Sequence, residues 1–264
     1  MHAHAPSPRG DQQMAAPADT TDLWVRRFHR SPSARARLLV LPHAGGAASY
    51  YFPMSRDLAP DVEVLAVQYP GRQDRRTEPC VETVADLADV LSDVVEPWTD
   101  APLALFGHSM GASVAYELAL RLREIGVRPA CLVVSGRRAP NAFRDERVHE
   151  RDDEGFLDEI RSLDGTQGPL LSDPEILAMV LPAIRADYRA AELYRPTPGT
   201  KPLDIPIHVL LGSDDPKVTR PEADRWSEHT TADCTVEEFP GGHFYLADQP
   251  AVAARVGAHV IRAL

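Results

Sequence analysis

A serine set between two glycines, where an apolar run gives way to a helical one, has the clearest chemical use in this sequence. Gly107-His108-Ser109-Met110-Gly111 follows PLALF and precedes ASVAYELALRLREIG. A strand-to-helix turn of this kind aims the hydroxyl out of a sheet and tolerates only small flanking residues. The N–H of the next residue, Met110, is then free to stabilise an oxyanion. Ser109 is therefore read as a nucleophile, and His108 beside it as a structural residue.

A serine needs a base, and the base needs an orienter. Where this motif carries a nucleophile, the partners follow in the order serine, acid, histidine. The late apolar run IPIHVLLG (205–212) ends in Ser213-Asp214-Asp215-Pro216. Asp215 is the preferred acid, because its spacing from Gly212 clears the strand end and Pro216 holds it away from helical geometry. Asp214 is the alternative. The base is expected after the last strand, where Gly241-Gly242-His243 lets a short loop carry the imidazole to the active edge. Among the other late histidines, His208 lies in a strand-like run, and His229 and His259 lie in helical stretches. The second oxyanion donor is sought after an early strand. His43-Ala44-Gly45-Gly46 follows LLVLP (38–42), its small residues admit close backbone approach, and Ala44 N–H is the candidate. His43 is read as a structural hydrogen-bonding residue.

These residues need a sheet to hold them. The runs LLVLP (38–42), VEVLAVQYP (62–70), PLALFGHS (102–109), ACLVVSG (130–136) and IPIHVLLG (205–212) are nearly continuous in Val, Leu and Ile, as in strands buried on both faces of a parallel sheet. Helix-period segments separate them, with Val84, Leu87, Leu91 and Val94 on one stripe and Val114, Leu118 and Leu122 on another. The alternation predicts an α/β fold with a mostly parallel central sheet and helices on both faces. Between Gly136 and Ile205 the connection is far longer than a crossover helix requires. It carries amphipathic pieces with Phe156, Leu157, Ile160 and Leu163, then Ile176, Leu177, Val180, Leu181, Ile184 and Tyr188. A helical lid over approximately 141–196 is expected, with Phe156, Leu157, Ile176 and Val180 partly lining the chamber beneath it. Residues 1–22, rich in Pro, Ala and polar residues, read as a disordered leader, and 23–264 as one domain.

The bulk properties narrow the class. A net charge of −11 argues against nucleic acid as a partner, since phosphate binding needs a basic face. No apolar run is long enough for a membrane span, and the N-terminus lacks the apolar core of an export signal. Cys80, Cys131 and Cys234 are scattered, without metal-ligand or disulfide spacing, so a reducing cytoplasm is the expected compartment. No metal and no organic cofactor is required. Arginines cluster at Arg26, Arg27, Arg30, Arg35 and Arg37, at Arg72, Arg75 and Arg76, and at Arg137, Arg138 and Arg144.

Taken together, FGHSMGASVAYELA, LPHAGGAASYYFP, VQYPGRQDRRTEP and FPGGHFYLADQP resemble the type II thioesterases of polyketide and nonribosomal peptide synthesis. The likeness extends over nearly the whole chain from about Leu23. QYPGRQDRRTEP is its most diagnostic part, because general esterases lack it. The resemblance implies an α/β-hydrolase fold with a helical lid, a stand-alone monomer, and removal of aberrant or stalled acyl groups from the phosphopantetheine arm of acyl or peptidyl carrier proteins. It carries the catalytic roles onto Ser109, Asp215 and His243, with amide donors at Ala44 and Met110. HAGG stands here in place of the lipase-type HGGG.

An oxygen-ester hydrolase and a macrocyclising thioesterase share the triad. The latter is usually the last domain of a synthase, whereas here a leader and no upstream carrier domain are expected. A non-catalytic binder is disfavoured by the intact Ser–Asp–His set. Carrier proteins are typically acidic, so docking on a −11 chain is expected to use a local basic patch, Arg72, Arg75 and Arg76 first, then Arg137 and Arg138.

Overall fold

The apolar runs become the parallel strands of one sheet. The computed structural model describes residues 20–163, 173–247 and 250–264. Its strands are β1 (Val25–Arg26), β2 (Ala36–Leu41), β3 (Val62–Val67), β4 (Leu103–His108), β5 (Leu132–Ser135), β6 (Ile207–Gly212) and β7 (Cys234–Phe239). They lie in the order β1-β3-β2-β4-β5-β6-β7. The short β1 pairs antiparallel with β3, and every other pairing is parallel. This is the α/β-hydrolase fold.

Alternation along each strand explains why the runs are continuously apolar. Leu39, Leu41, Leu65, Leu105 and Val134 pack in one core with α3 (Val84–Val95) and α4 (Met110–Glu124). Their neighbours Leu38, Val40, Val64, Phe106 and Val133 pack in a second core with α2 (Phe52–Leu58) and α7 (Pro250–Arg262). Both faces of the sheet are covered, so neither set of side chains can be polar. The α3 stripe read from the sequence is the buried one, and the Thr83 side chain caps its start, accepting from Asp86 N–H at 3.0 Å. Among the described residues no helix is long and apolar enough to cross a membrane.

The boundary of the leader moves. Residues 1–19 lie outside the described residues, but the expected leader reached residue 22, and a helix, α1 (Thr20–Trp24), begins before that. Its last residue, Trp24, is buried in the sheet's core beneath the Arg75 guanidinium. That burial draws the preceding turn into the fold.

The long connection between β5 and β6 folds as a helical insertion containing α5 (Asp153–Ser162) and α6 (Pro174–Leu193). Each helix opens on an aspartate cap. Asp152 accepts from Gly155 N–H at 2.9 Å, and Asp173 accepts from Glu175 N–H at 2.9 Å with Pro174 next in line. Residues 164–172 of the expected lid lie outside the described residues.

The two glycines of the serine motif are fixed by crowding. A Cβ on Gly107 would sit 2.1 Å from the Gly111 carbonyl oxygen, and one on Gly111 would sit 2.0 Å from the Leu41 carbonyl oxygen. Both neighbours are backbone and cannot rotate away. Gly126, which ends α4 at φ 79°, has no atom near a Cβ added to it. Gly111→Ala is therefore expected to abolish soluble folded protein. Gly126→Ala should cost only the left-handed backbone penalty, about 1–2 kcal/mol. Thermal melts of the two variants check this, and a Gly111→Ala protein melting like Gly126→Ala would refute it.

Candidate active site

The turn from β4 to α4 holds Ser109 at φ 55°, ψ −118°, a conformation side-chain-bearing residues rarely adopt. The neighbouring strand ties it down: Ser109 N–H donates to the Ser135 carbonyl at 2.8 Å. The hydroxyl therefore projects beyond the sheet instead of lying along α4.

Two loops from the far side of the sheet converge on it. His243 Nε2 lies 3.0 Å from Ser109 Oγ. His243 Nδ1 lies 3.0 and 2.9 Å from the two oxygens of Asp215. A carboxylate only accepts, so Nδ1 carries the proton, and Nε2 is left to accept from the serine hydroxyl. The acid and base loops are crossed against each other: Asp214 N–H donates to the Gly241 carbonyl at 2.9 Å. A Cβ on Gly212 would meet the Gly242 carbonyl oxygen at 2.3 Å. Asp215 is buried and also accepts from Lys217 N–H at 2.8 Å, whereas Asp214 is exposed and its side chain accepts from the Ser213 hydroxyl.

Ala44 lines the same cavity as Ser109 and His243. Met110 is the first residue of α4, where an N–H has no intrahelical acceptor and the helix dipole favours negative charge. Of the two amide donors expected from the sequence, Ala44 thus lies on a loop bordering the serine's cavity and Met110 at the start of the helix that follows the serine.

Two further imidazoles stand behind the base. His108 is fully buried and hydrogen-bonds through Nδ1 to Ser135 Oγ at 2.9 Å, which in turn meets the Tyr245 hydroxyl at 2.6 Å. Burial first, then the neighbouring His243, holds its pKa well below the ordinary value. His43 is likewise pushed down to about 3, by burial and then by His243 and Arg72. Both are neutral at pH 7.

The cavity over Ser109 encloses 40 Å³, about the room of one or two waters, with the lid seated as it is here. Leu163, Tyr188, Ala191 and Glu192 of the insertion form its lid side, and Arg137 borders it from the sheet. A wider cleft of 440 Å³ opens on the other side of His243 and shares Leu163 and Phe244 with the first.

Four expected lining residues are elsewhere. Phe156 is wholly buried in the insertion's own small core with Val148 and Ile184, edge-on to Tyr188 at 5.1 Å and under the Arg185 guanidinium. Val180 packs on that core, while Leu157 is buried and Ile176 half-buried. None of the four borders the cavity. A lid of two helices must hold itself together before it can wall anything, and its most apolar residues do that work.

The basic patch expected for docking is also corrected. Arg72 and Arg75 are buried. Arg72 forks onto Asp187 at 2.7 and 2.9 Å, and Arg75 onto Glu78 at 2.9 and 2.6 Å. Arg138 is buried against Glu146 at 2.8 Å, and the half-buried Arg137 bonds Ser113 and the Ala191 carbonyl. Of the three arginines Arg72, Arg75 and Arg76, the last alone is exposed. A guanidinium whose donors are satisfied inside the fold is not available to a partner. Asp187, which the sequence reading passed over, is the buried carboxylate this geometry brings forward.

The family model for the thioesterase domain matches residues 36–260. The chain is 52% identical over 229 residues to thioesterase PikA5 of Streptomyces venezuelae, covering 86% of this chain and 81% of that protein. The type II thioesterase BorB from the borrelidin biosynthetic cluster superimposes with a TM-score of 0.81 at 46% identity, over 91% of this chain and 97% of that one. YbtT, a type II thioesterase from the yersiniabactin pathway, does so at 0.82 and 29% identity, over 91% and 99%.

The buried imidazoles give stability a pH dependence. His43 takes its proton near pH 6.5 when unfolded but only near 3 when folded, so the unfolded state binds more protons between those values. Stability is fully present above about 6.5 and falls with pH below it, by about 2 kcal/mol at pH 5 from His43 alone. His108 and His208, both lowered chiefly by burial, act in the same direction. Urea unfolding at pH 7.5 and pH 5 measures this. Equal stability at the two values would mean that these imidazoles are not buried neutral.

Proposed function

Since the chain belongs to the thioesterase family, as a type II thioesterase of polyketide and nonribosomal peptide biosynthesis that hydrolyses thioesters, we propose that it edits carrier proteins. It removes aberrant or stalled acyl groups from the phosphopantetheine arm of acyl or peptidyl carriers, through an acyl-enzyme on Ser109. The observation that carries the reading is the unbroken hydrogen-bonded line from Ser109 Oγ through His243 to Asp215, starting at a strained turn.

In this reading Ser109 Oγ attacks the thioester carbonyl as its proton passes to His243 Nε2. Asp215 stabilises the resulting imidazolium, and the Ala44 and Met110 amides receive the oxyanion. Collapse of the tetrahedral intermediate breaks the C–S bond, and the pantetheine sulfur leaves with the proton from His243. Water, deprotonated by the same imidazole, then attacks the acyl-enzyme and releases the free acid and Ser109. The wide cleft beside His243 is the side from which the arm approaches. The narrow cavity must enlarge by movement of the insertion to take an acyl chain.

Ser109→Ala is expected to lose on the order of 10⁶-fold in turnover, as for other triad serines, and to retain binding of the acyl carrier protein. Activity within tenfold of the wild type would sink the assignment. Asp215→Asn should lose on the order of 10⁴-fold, because the wrong tautomer of His243 is then favoured, while Asp214→Asn keeps most of its activity. The opposite ranking would move the acid to Asp214. Both series are read on one acyl group presented as a carrier thioester, as an N-acetylcysteamine thioester and as an oxygen ester. Faster hydrolysis of the oxygen ester would argue against thioester editing.

A further inference from the structure

Residues 68–75, within the QYPGRQDRRTEP stretch on which the resemblance most depends, are bonded to the loop that bears Ala44. The Gln68 side-chain oxygen accepts from Ala48 N–H at 2.9 Å, and the Gln73 amide donates to Ser49 Oγ at 2.7 Å. Between them, Arg72 donates from Nη1 to the Gly46 carbonyl at 3.2 Å. The rest of its fork closes on Asp187 of α6, Nη1 to Oδ2 at 2.7 Å and Nη2 to Oδ1 at 2.9 Å. Asp187 Oδ2 also accepts from Gly45 N–H at 2.8 Å. The ion pair is buried on both sides, Asp187 at 1% exposure. One lid carboxylate and one arginine therefore grip the Ala44–Gly45 and Gly46–Ala47 peptide groups, on either side of the Gly45–Gly46 peptide.

The turn has little other freedom. Gly45 sits at φ 73°, and a Cβ there would lie 2.8 Å from Ile184 Cγ1, one helical turn before Asp187 on α6. The lid helix thus presses on the loop with one side chain and bonds it with the next. A pair holding only the lid to the body would need neither the Gly45 N–H nor the Gly46 carbonyl.

We infer that Arg72 and Asp187 are positioning residues for the oxyanion hole: by fixing the peptides at Gly45 and Gly46 they set the direction of the Ala44 N–H, so that the hole is formed when α6 is seated. This rests on the reading of Ala44 as an oxyanion donor. It gives residues 68–75 their role, as the backing that carries Arg72 to the loop. It also makes the lid part of the catalytic apparatus, since withdrawing α6 removes the acceptor from Gly45 N–H.

The test uses the full chain and three variants: Asp187→Asn, Arg72→Lys and the double variant Arg72→Met/Asp187→Leu. The double variant replaces a buried ion pair by apolar side chains, an exchange that proteins often accept without loss of stability. Active sites are counted by fluorophosphonate titration, and kcat and KM are measured per titrated site on an N-acetylcysteamine thioester. Affinity for a boronic acid, which forms a tetrahedral adduct on Ser109, is measured beside them. For Asp187→Asn and the double variant, kcat per site should fall at least about tenfold, short of the roughly 10²–10³ lost when a donor is removed outright. KM should change little, boronate affinity should fall with kcat/KM, and Arg72→Lys should lie between these variants and the wild type. Unchanged kcat per site with fewer titratable sites would mean a purely structural pair and overturn the inference. A fall in kcat with unchanged boronate affinity would overturn it as well. Ser109→Ala, run alongside, keeps the two readings apart. If it remains active the triad reading falls, and if it is dead while the Asp187 variants turn over normally, only the positioning inference falls.

Discussion

At Ser109 the backbone is held at φ 55° with no space on either side, and the geometry of the site depends on that constraint. Left-handed backbone at a residue with a side chain is costly, and it persists only where its surroundings allow nothing else. Here they do not. Gly107 and Gly111 are pressed against each other and against the end of β2, and the Ser109 amide is bonded to the end of β5. Those contacts come from three adjacent parallel strands, so the turn is as rigid as the sheet. Everything else in the site is aimed at a point that the sheet has already set: the acid after β6, the base after β7 and the amide loop after β2.

The buried charges follow from the same requirement. Taking a guanidinium and a carboxylate out of water costs several kcal/mol each, and their attraction repays this only with good geometry and further hydrogen bonds. Arg72 and Asp187 have both, a two-point fork plus bonds to the backbone at Gly45 and Gly46. The buried Arg138, with the half-buried Glu146 and Lys217, ties the start of the insertion to the loop carrying Asp215. Both sets stand where lid and catalytic loops meet.

What the sequence made legible and what it hid divide along one physical line. Strand and helix stripes were legible because burial on a regular element imposes a period. That Ser109, Asp215 and His243 would meet was legible because each follows a strand end and a turn adjacent to it in the chain. Arg72 was misread as a docking residue because its fate depends on a carboxylate 115 residues away, and no local pattern says whether an arginine will find one. A weak signal for Asp187 did exist: it falls on the stripe of α6 that includes Ile184 and Ala191, where a charge is out of place. Phe156 was misplaced for a related reason. Hydrophobicity shows that a side chain is buried but not in which core, and the insertion has a small core of its own.

The three histidines gathered at the site show why burial matters to the chemistry as well as to the fold. The His108 ring lies 5.0 Å from His243 and 5.7 Å from His43. In the proposed mechanism, a proton on His108 would place a second positive charge beside the imidazolium that forms as Ser109 attacks. At 5 Å and an effective dielectric of about 20, that repulsion is roughly 3 kcal/mol, or about 10² in rate. Burial keeps His108 and His43 neutral. The charge in direct contact with His243 is then Asp215, which has the sign that stabilises the imidazolium. The desolvation that keeps His43 and His108 uncharged is the same one that is expected to weaken the folded state in acid.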